Sequence, residues 1–89
     1  MFQFRDDLGL TGARADNLAT FRRELLLCDP KVLEHHAAHN DFSNWLAHAI
    51  HDETLASTAR ELEGESRADG TFEGLRHALV EAIEIRYLA

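Results

Sequence analysis

Cysteine, proline and lysine each occur once in the 89 residues, glycine only five times, and no apolar run reaches the roughly 20 residues of a bilayer span. A lone Cys28 excludes an intrachain disulfide and a zinc site built from the cysteines of one chain, and its isolation points to a reducing compartment. The N-terminus lacks the basic-then-apolar order of a secretory signal, so a cytoplasmic location is the expectation. No glycine-rich phosphate loop is present, and Ser43 and Ser57 carry no nucleophile-elbow motif. Cys28 falls on an apolar seam with Phe21 and Leu25, where a thiol behaves as a small hydrophobe, so no enzyme is expected. Positive charge is scarce as well. Nine basic against 16 acidic residues leave a net charge of -7, which opposes nucleic acid and anionic membranes as partners.

What remains is abundant Ala, Leu, Glu and Arg in a chain long enough for one core, so residues 1–89 read as a single helical domain. The expected fold class is all-α, a compact bundle of four to five short helices with an extended N-terminal arm. Phe2 and Phe4 alternate with polar neighbours in that arm, and Thr11-Gly12 ends it. Leu18, Phe21, Leu25 and Cys28 recur at helical steps and predict a first helix over residues 13–27. Asp29-Pro30 starts a second helix that ends near His39. Asn40 or Asp41 caps a third, whose stripe is Phe42, Trp45, Leu46, Ala49 and Ile50. After His51-Asp52, a fourth helix turns Leu55, Ala59 and Leu62 inward and Arg60, Glu61 and Glu63 outward, fading by Gly64. Thr71 caps the last helix, which buries Phe72, Leu75, Leu79, Ala82 and Ile83.

Taken in order, Phe2-Gln3-Phe4, Thr11-Gly12 with Ala15, His36, Asp41-Phe42 with Trp45, Asp52 with Leu55-Ala56, and Leu75-Arg76 form a pattern over nearly the whole chain. That pattern resembles a bacterial and archaeal family of small helical domains of unknown function. The resemblance implies a fold and a docking or regulatory role, and no catalytic residues are carried over. Two positions depart from the family's pattern: His51 stands where a glycine usually precedes the Asp, and the stretch between His36 and Asp41 is short for a pocket-forming loop.

Six histidines are the compositional oddity. His35 and His39 lie one turn apart on a helix, and with His36 they form a candidate site for a divalent metal ion, to which Glu34, Asp41 or Asp52 can add a carboxylate. His36, flanked by Val32, Leu33 and Ala37, is expected inside and neutral. His48, His51 and Asp52 read as a solvated polar face. The last helix carries more apolar width than one face needs, which makes Val80, Ile85, Tyr87 and Leu88 the candidate interface for a protein partner or a second copy in a homodimer. A non-enzymatic interaction or regulatory module, self-associating, is thus the leading expectation, with a histidine-cluster metal-binding or metal-sensing domain as the alternative.

Overall fold

The computed structural model describes residues 1–88, Leu88 by its backbone alone. The N-terminal arm is a β-hairpin. Strand β1 (Phe2–Asp6) pairs antiparallel with β2 (Gly9–Ala15), from Phe2 opposite Ala15 to Asp6 opposite Gly9. The turn is set locally: the Asp6 carboxylate accepts from the Leu8 N–H at 2.8 Å, and Gly9 takes φ +123°, which side chains disfavour. Between Gln3 and Arg5 the register shifts, Gly12 takes φ +93°, and the Thr11 hydroxyl donates to the Phe4 carbonyl at 2.9 Å. Strand β2 runs on through residues 13–15, which were expected to begin the first helix. That helix, α1 (Leu18–Leu27), begins later because the Asn17 side chain caps it by accepting from the Thr20 N–H.

Asp29 and Pro30 start α2 (Pro30–Ala38) as expected. Asn40 then adopts the left-handed conformation, φ 55°, and turns the chain into α3 (Asp41–His48). Neither Asn40 nor Asp41 caps α3 with its side chain; the carboxylate of Glu63, on the next helix, accepts from the Phe42 and Ser43 N–H groups at 3.1 and 3.4 Å. His51 bends the chain at φ 62°, so the left-handed corner that usually takes glycine is formed here by histidine. Asp52 caps α4 (Glu53–Asp69) through the Leu55 N–H. Helix α4 passes through Gly64 rather than ending there, since one interior glycine costs only about 1 kcal/mol and packing against α2, α3 and α5 outweighs it. It stops at Gly70, φ +73°. The final helix, α5 (Glu73–Ile83), follows Phe72 at the cap position rather than Thr71 and passes into a π-helical turn, Glu84–Leu88.

The chain is therefore mostly helical, with five α-helices and a two-stranded sheet among the described residues, and not purely all-α. Phe2 and Phe4 point inward from β1 and meet Phe21, Phe42 and the His36 ring. Of the expected core side chains, Trp45, Ile50, Leu62, Phe72 and Ala82 are only partly buried and Ala49 is exposed; Trp45 lies on the cluster's rim, stacked on Phe21 with ring centroids 4.8 Å apart. No helix is long and apolar enough to cross a membrane among the described residues.

Of the expected interface residues, Val80 turns inward, while Ile85 and Tyr87 stay exposed. Val80 is 6% exposed and belongs to the core, because α5 packs against α1, α2 and α4 and thus needs a broad apolar arc. The Tyr87 hydroxyl donates to Asp52 Oδ2, which also accepts from Arg86 Nε at 2.8 Å. These bonds tie the C-terminal turn to the start of α4. Burial opposes ionisation of Asp52, but the Tyr87 hydroxyl, the Leu55 N–H and Arg86 outweigh it and hold the carboxyl at about 2. Ile85 stays 64% exposed, and the Leu88 side chain lies outside the described residues.

Candidate functional site

Two surface features share a wall formed by the hairpin. The first is a pocket of about 560 Å³ between β1 and the end of α2, lined by Gln3, Arg5, His35, His36, His39 and Asp41, among others. The left-handed turn at Asn40 returns the chain so that Asp41, the first residue of α3, faces the last turn of α2. His35, His36 and Asp41 each bring one ligand-capable atom to within 4.8 Å of the other two. The short stretch between His36 and Asp41 thus shapes a pocket without a long loop.

Hydrogen bonds settle the histidine tautomers. His36 Nε2 accepts from the Arg5 N–H at 3.0 Å, so its proton is on Nδ1 and is donated to Asp41 Oδ2 at 2.8 Å. His39 Nδ1 donates to the His35 carbonyl at 2.8 Å, and His35 Nδ1 donates to Asp7 Oδ1 at 3.2 Å. His36 is buried among Phe2, Phe4 and Phe42 as the sequence implied, and burial lowers its pKa against the opposing pull of Asp41. A proton on Nε2 would face the Arg5 N–H donor and break the bond that ties β1 to α2.

Because its folded pKa is lowered, His36 binds a proton more readily in the unfolded chain than in the folded one. The stability held above the ordinary imidazole value near 6.5 is therefore lost as pH falls below it. Thermal melting at pH 7.5, 6.0 and 5.0 should show this loss. His36→Gln, which keeps an acceptor and a donor but cannot titrate, should start lower and change less over the same range.

His48, His51 and His77 are exposed and stand outside this pocket, as does Asp52, which is buried as the α4 cap rather than part of a solvated face. Asp7, the partner of His35, lies in the hairpin turn and has no signal in helical periodicity.

The second feature is a groove of about 420 Å³ between the hairpin and the α1–α2 corner. Leu8, from the hairpin turn, is 97% exposed and Leu27, from the last turn of α1, is 73% exposed; both line it. Ala13, Cys28 and Val32 add apolar surface, while Asp6, Glu24, Asp29 and Lys31 supply its charges. Burial pushes the Cys28 thiol up against the pull of Arg76, which keeps it protonated and a poor nucleophile. Arg76 itself is committed elsewhere: Nη1 donates to the Leu25 and Leu26 carbonyls at the end of α1, both at 2.9 Å, and Glu73 holds the guanidinium from α5. Sequence periodicity singled out neither Leu8 nor Leu27; the hairpin turn places both on one groove.

Among known proteins, a family model described as "Family of unknown function (DUF5752)" matches residues 2–89. No curated protein and no solved structure matches the chain.

Proposed function

The chain belongs to this family of unknown function, and from that premise we propose that it is a protein-interaction module whose hairpin–α1 groove takes an amphipathic, basic segment of a protein partner. The observation that carries the reading is the pairing of Leu8 and Leu27 across one groove, both large, apolar and largely exposed. Burying two leucines against a partner is worth about 1.5–3 kcal/mol each, enough to anchor a modest complex. Three carboxylates against one lysine around the groove, on a chain of net charge -7, favour a cationic occupant and oppose a second copy with the same field. The interface expected on the last helix is replaced in this reading, since Val80 is core and the Tyr87 hydroxyl is engaged by Asp52.

The test uses a designed leucine–lysine amphipathic helical peptide as probe and amide chemical shifts as readout. Shifts should centre on Asp6, Leu8, Glu24, Leu27 and Val32. Leu8→Glu with Leu27→Glu should abolish them while leaving the melting temperature nearly unchanged, because exposed substitutions cost within about 0.5 kcal/mol. Peptide shifts elsewhere, or none, overturn the reading. Dilution-dependent shifts at the same residues without peptide make the occupant a second copy and overturn the heterologous partner.

A further inference from the structure

We propose that the pocket beside β1 is a binding site for one divalent first-row transition-metal ion, held by His35, His39 and Asp41, with His36 positioning the carboxylate rather than touching the metal.

The hydrogen bonds divide the four side chains into three ligands and one support. His36 has no free nitrogen: Nε2 accepts from the Arg5 N–H and Nδ1 donates to Asp41. A metal on Nδ1 would force the proton onto Nε2, opposite the Arg5 N–H, and set two donors against each other. The other three each keep one unused ligand atom. His35 and His39 use Nδ1–H on Asp7 and on the His35 carbonyl, which leaves both Nε2 lone pairs. Asp41 uses Oδ2 to accept from His36, which leaves Oδ1. An N–H fixed on an oxygen while the opposite nitrogen stays bare is how protein sites orient imidazole ligands, and ligating carboxylates are held by hydrogen bonds in the same way.

The geometry is open but close. His35, His36 and Asp41 already hold candidate atoms within 4.8 Å, and the His35 and His39 rings lie 5.0 Å apart between centroids. His39 is exposed at the end of α2 and lines the same pocket, its Nδ1–H held by the His35 carbonyl. Two imidazoles and one carboxylate leave further coordination positions for water in the same pocket. That donor set also selects the ion. Arg5 lines the pocket and weakens its negative field, so a hard cation held by charge alone gains little, whereas imidazole lone pairs suit Zn²⁺, Ni²⁺ or Cu²⁺.

Calorimetric titration of the untagged chain with Zn²⁺, then with Mg²⁺, tests the proposal, with melting temperature as a second readout. One Zn²⁺ should bind and raise the melting temperature, Mg²⁺ should do neither, and affinity should fall as pH drops through the imidazole range. His39→Ala and Asp41→Asn should each weaken Zn²⁺ roughly tenfold or more. Both act on residues outside the core, and the amide oxygen introduced by Asp41→Asn can still accept from His36. His48→Ala with His51→Ala should leave binding unchanged. Absence of Zn²⁺ binding overturns the site, as does binding that survives both His39→Ala and Asp41→Asn or disappears with the His48 and His51 pair.

Discussion

Phe21→Ala is expected to lower the unfolding free energy by roughly 3–5 kcal/mol, enough to leave much of a small domain unfolded at 25 °C. Phe21 is fully buried on α1 and lies at the centre of an aromatic cluster contributed by two other elements, β1 and α3. Its ring meets Phe2 edge-on at 5.3 Å, Phe4 at 5.7 Å, Phe42 at 5.8 Å and the Trp45 indole at 4.8 Å. The hairpin contributes Phe2 and Phe4, and a two-stranded ribbon has little stability of its own in water. Truncation of Phe21 thus removes the surface that holds the hairpin as well as opening a cavity in the helices. Denaturant unfolding followed by Trp45 fluorescence measures the loss. Phe21→Leu, which refills most of the volume, should recover a large part of it. A loss below about 1 kcal/mol for the alanine variant would mean that the hairpin is not held through this ring.

The consequence reaches both candidate sites. Arg5 and Asp7 reach the histidine pocket from the hairpin, and Leu8 and Asp6 form one wall of the apolar groove. A variant that frees the hairpin therefore weakens ligand binding without touching a ligand. Variants that test binding are therefore placed outside the core, with the melting temperature read alongside.

How much of this was legible in the sequence depends on the range of the physics involved. The inward faces of α1, α3 and α5 were readable because their apolar residues recur at three- and four-residue steps, and Phe21, Leu25, Phe42, Leu46, Leu75, Leu79 and Ile83 are all buried. His36 was readable as an inner histidine because Val32, Leu33 and Ala37 surround it on α2. The hairpin was not. Strand β2 is Gly9-Leu10-Thr11-Gly12-Ala13-Arg14-Ala15, mostly exposed and irregular in register, so it lacks the alternation that marks a half-buried strand. The histidine pocket was half legible. Helical spacing joined His35 to His39 and left Glu34, Asp41 and Asp52 as possible carboxylates, but only the left-handed turn at Asn40 singles out Asp41, and only the β1 backbone shows that His36 has no nitrogen to spare. Part of the apolar width on α5 belongs to the core, as Val80 shows, because periodicity counts apolar residues without knowing how many neighbours a helix has.

Glu63 shows a signal that was present and overridden by charge. It stands four residues after Ala59 and seven after Ala56, in phase with the buried stripe of α4 that continues to Ser66. Its 0% exposure is what that phase predicts. Carboxylates are buried only where something compensates, and here the compensation is the N-terminus of α3, whose Phe42 and Ser43 N–H groups both point at Oε2. The balance is unfavourable to the charge: a helix terminus offers at most about 2 kcal/mol, desolvating a carboxylate costs several, and among the described residues Oε1 accepts from no donor. Burial accordingly raises the Glu63 pKa in spite of Ser43, Phe42 and Arg67.

Glu63→Ala should therefore cost roughly 3 kcal/mol, since it strands two N–H groups and opens a cavity at the α3–α4 contact. Glu63→Gln should behave oppositely: its amide oxygen still accepts from Phe42 and Ser43, and no charge has to be buried. Its stability should lie within about 1 kcal/mol of the wild type at neutral pH or exceed it. The wild-type carboxyl, with a folded pKa above the unfolded value, contributes stability below the ordinary carboxylate range and loses it as pH rises through the folded pKa. Glu63→Gln should thus gain on the wild type between about pH 4 and neutral pH. Paired denaturant melts at both ends of that range decide the matter: an alanine variant as stable as the glutamine variant would show that α3 needs no cap from α4, and a glutamine variant that loses ground as pH rises would show that the ionised carboxylate is the stabilising form.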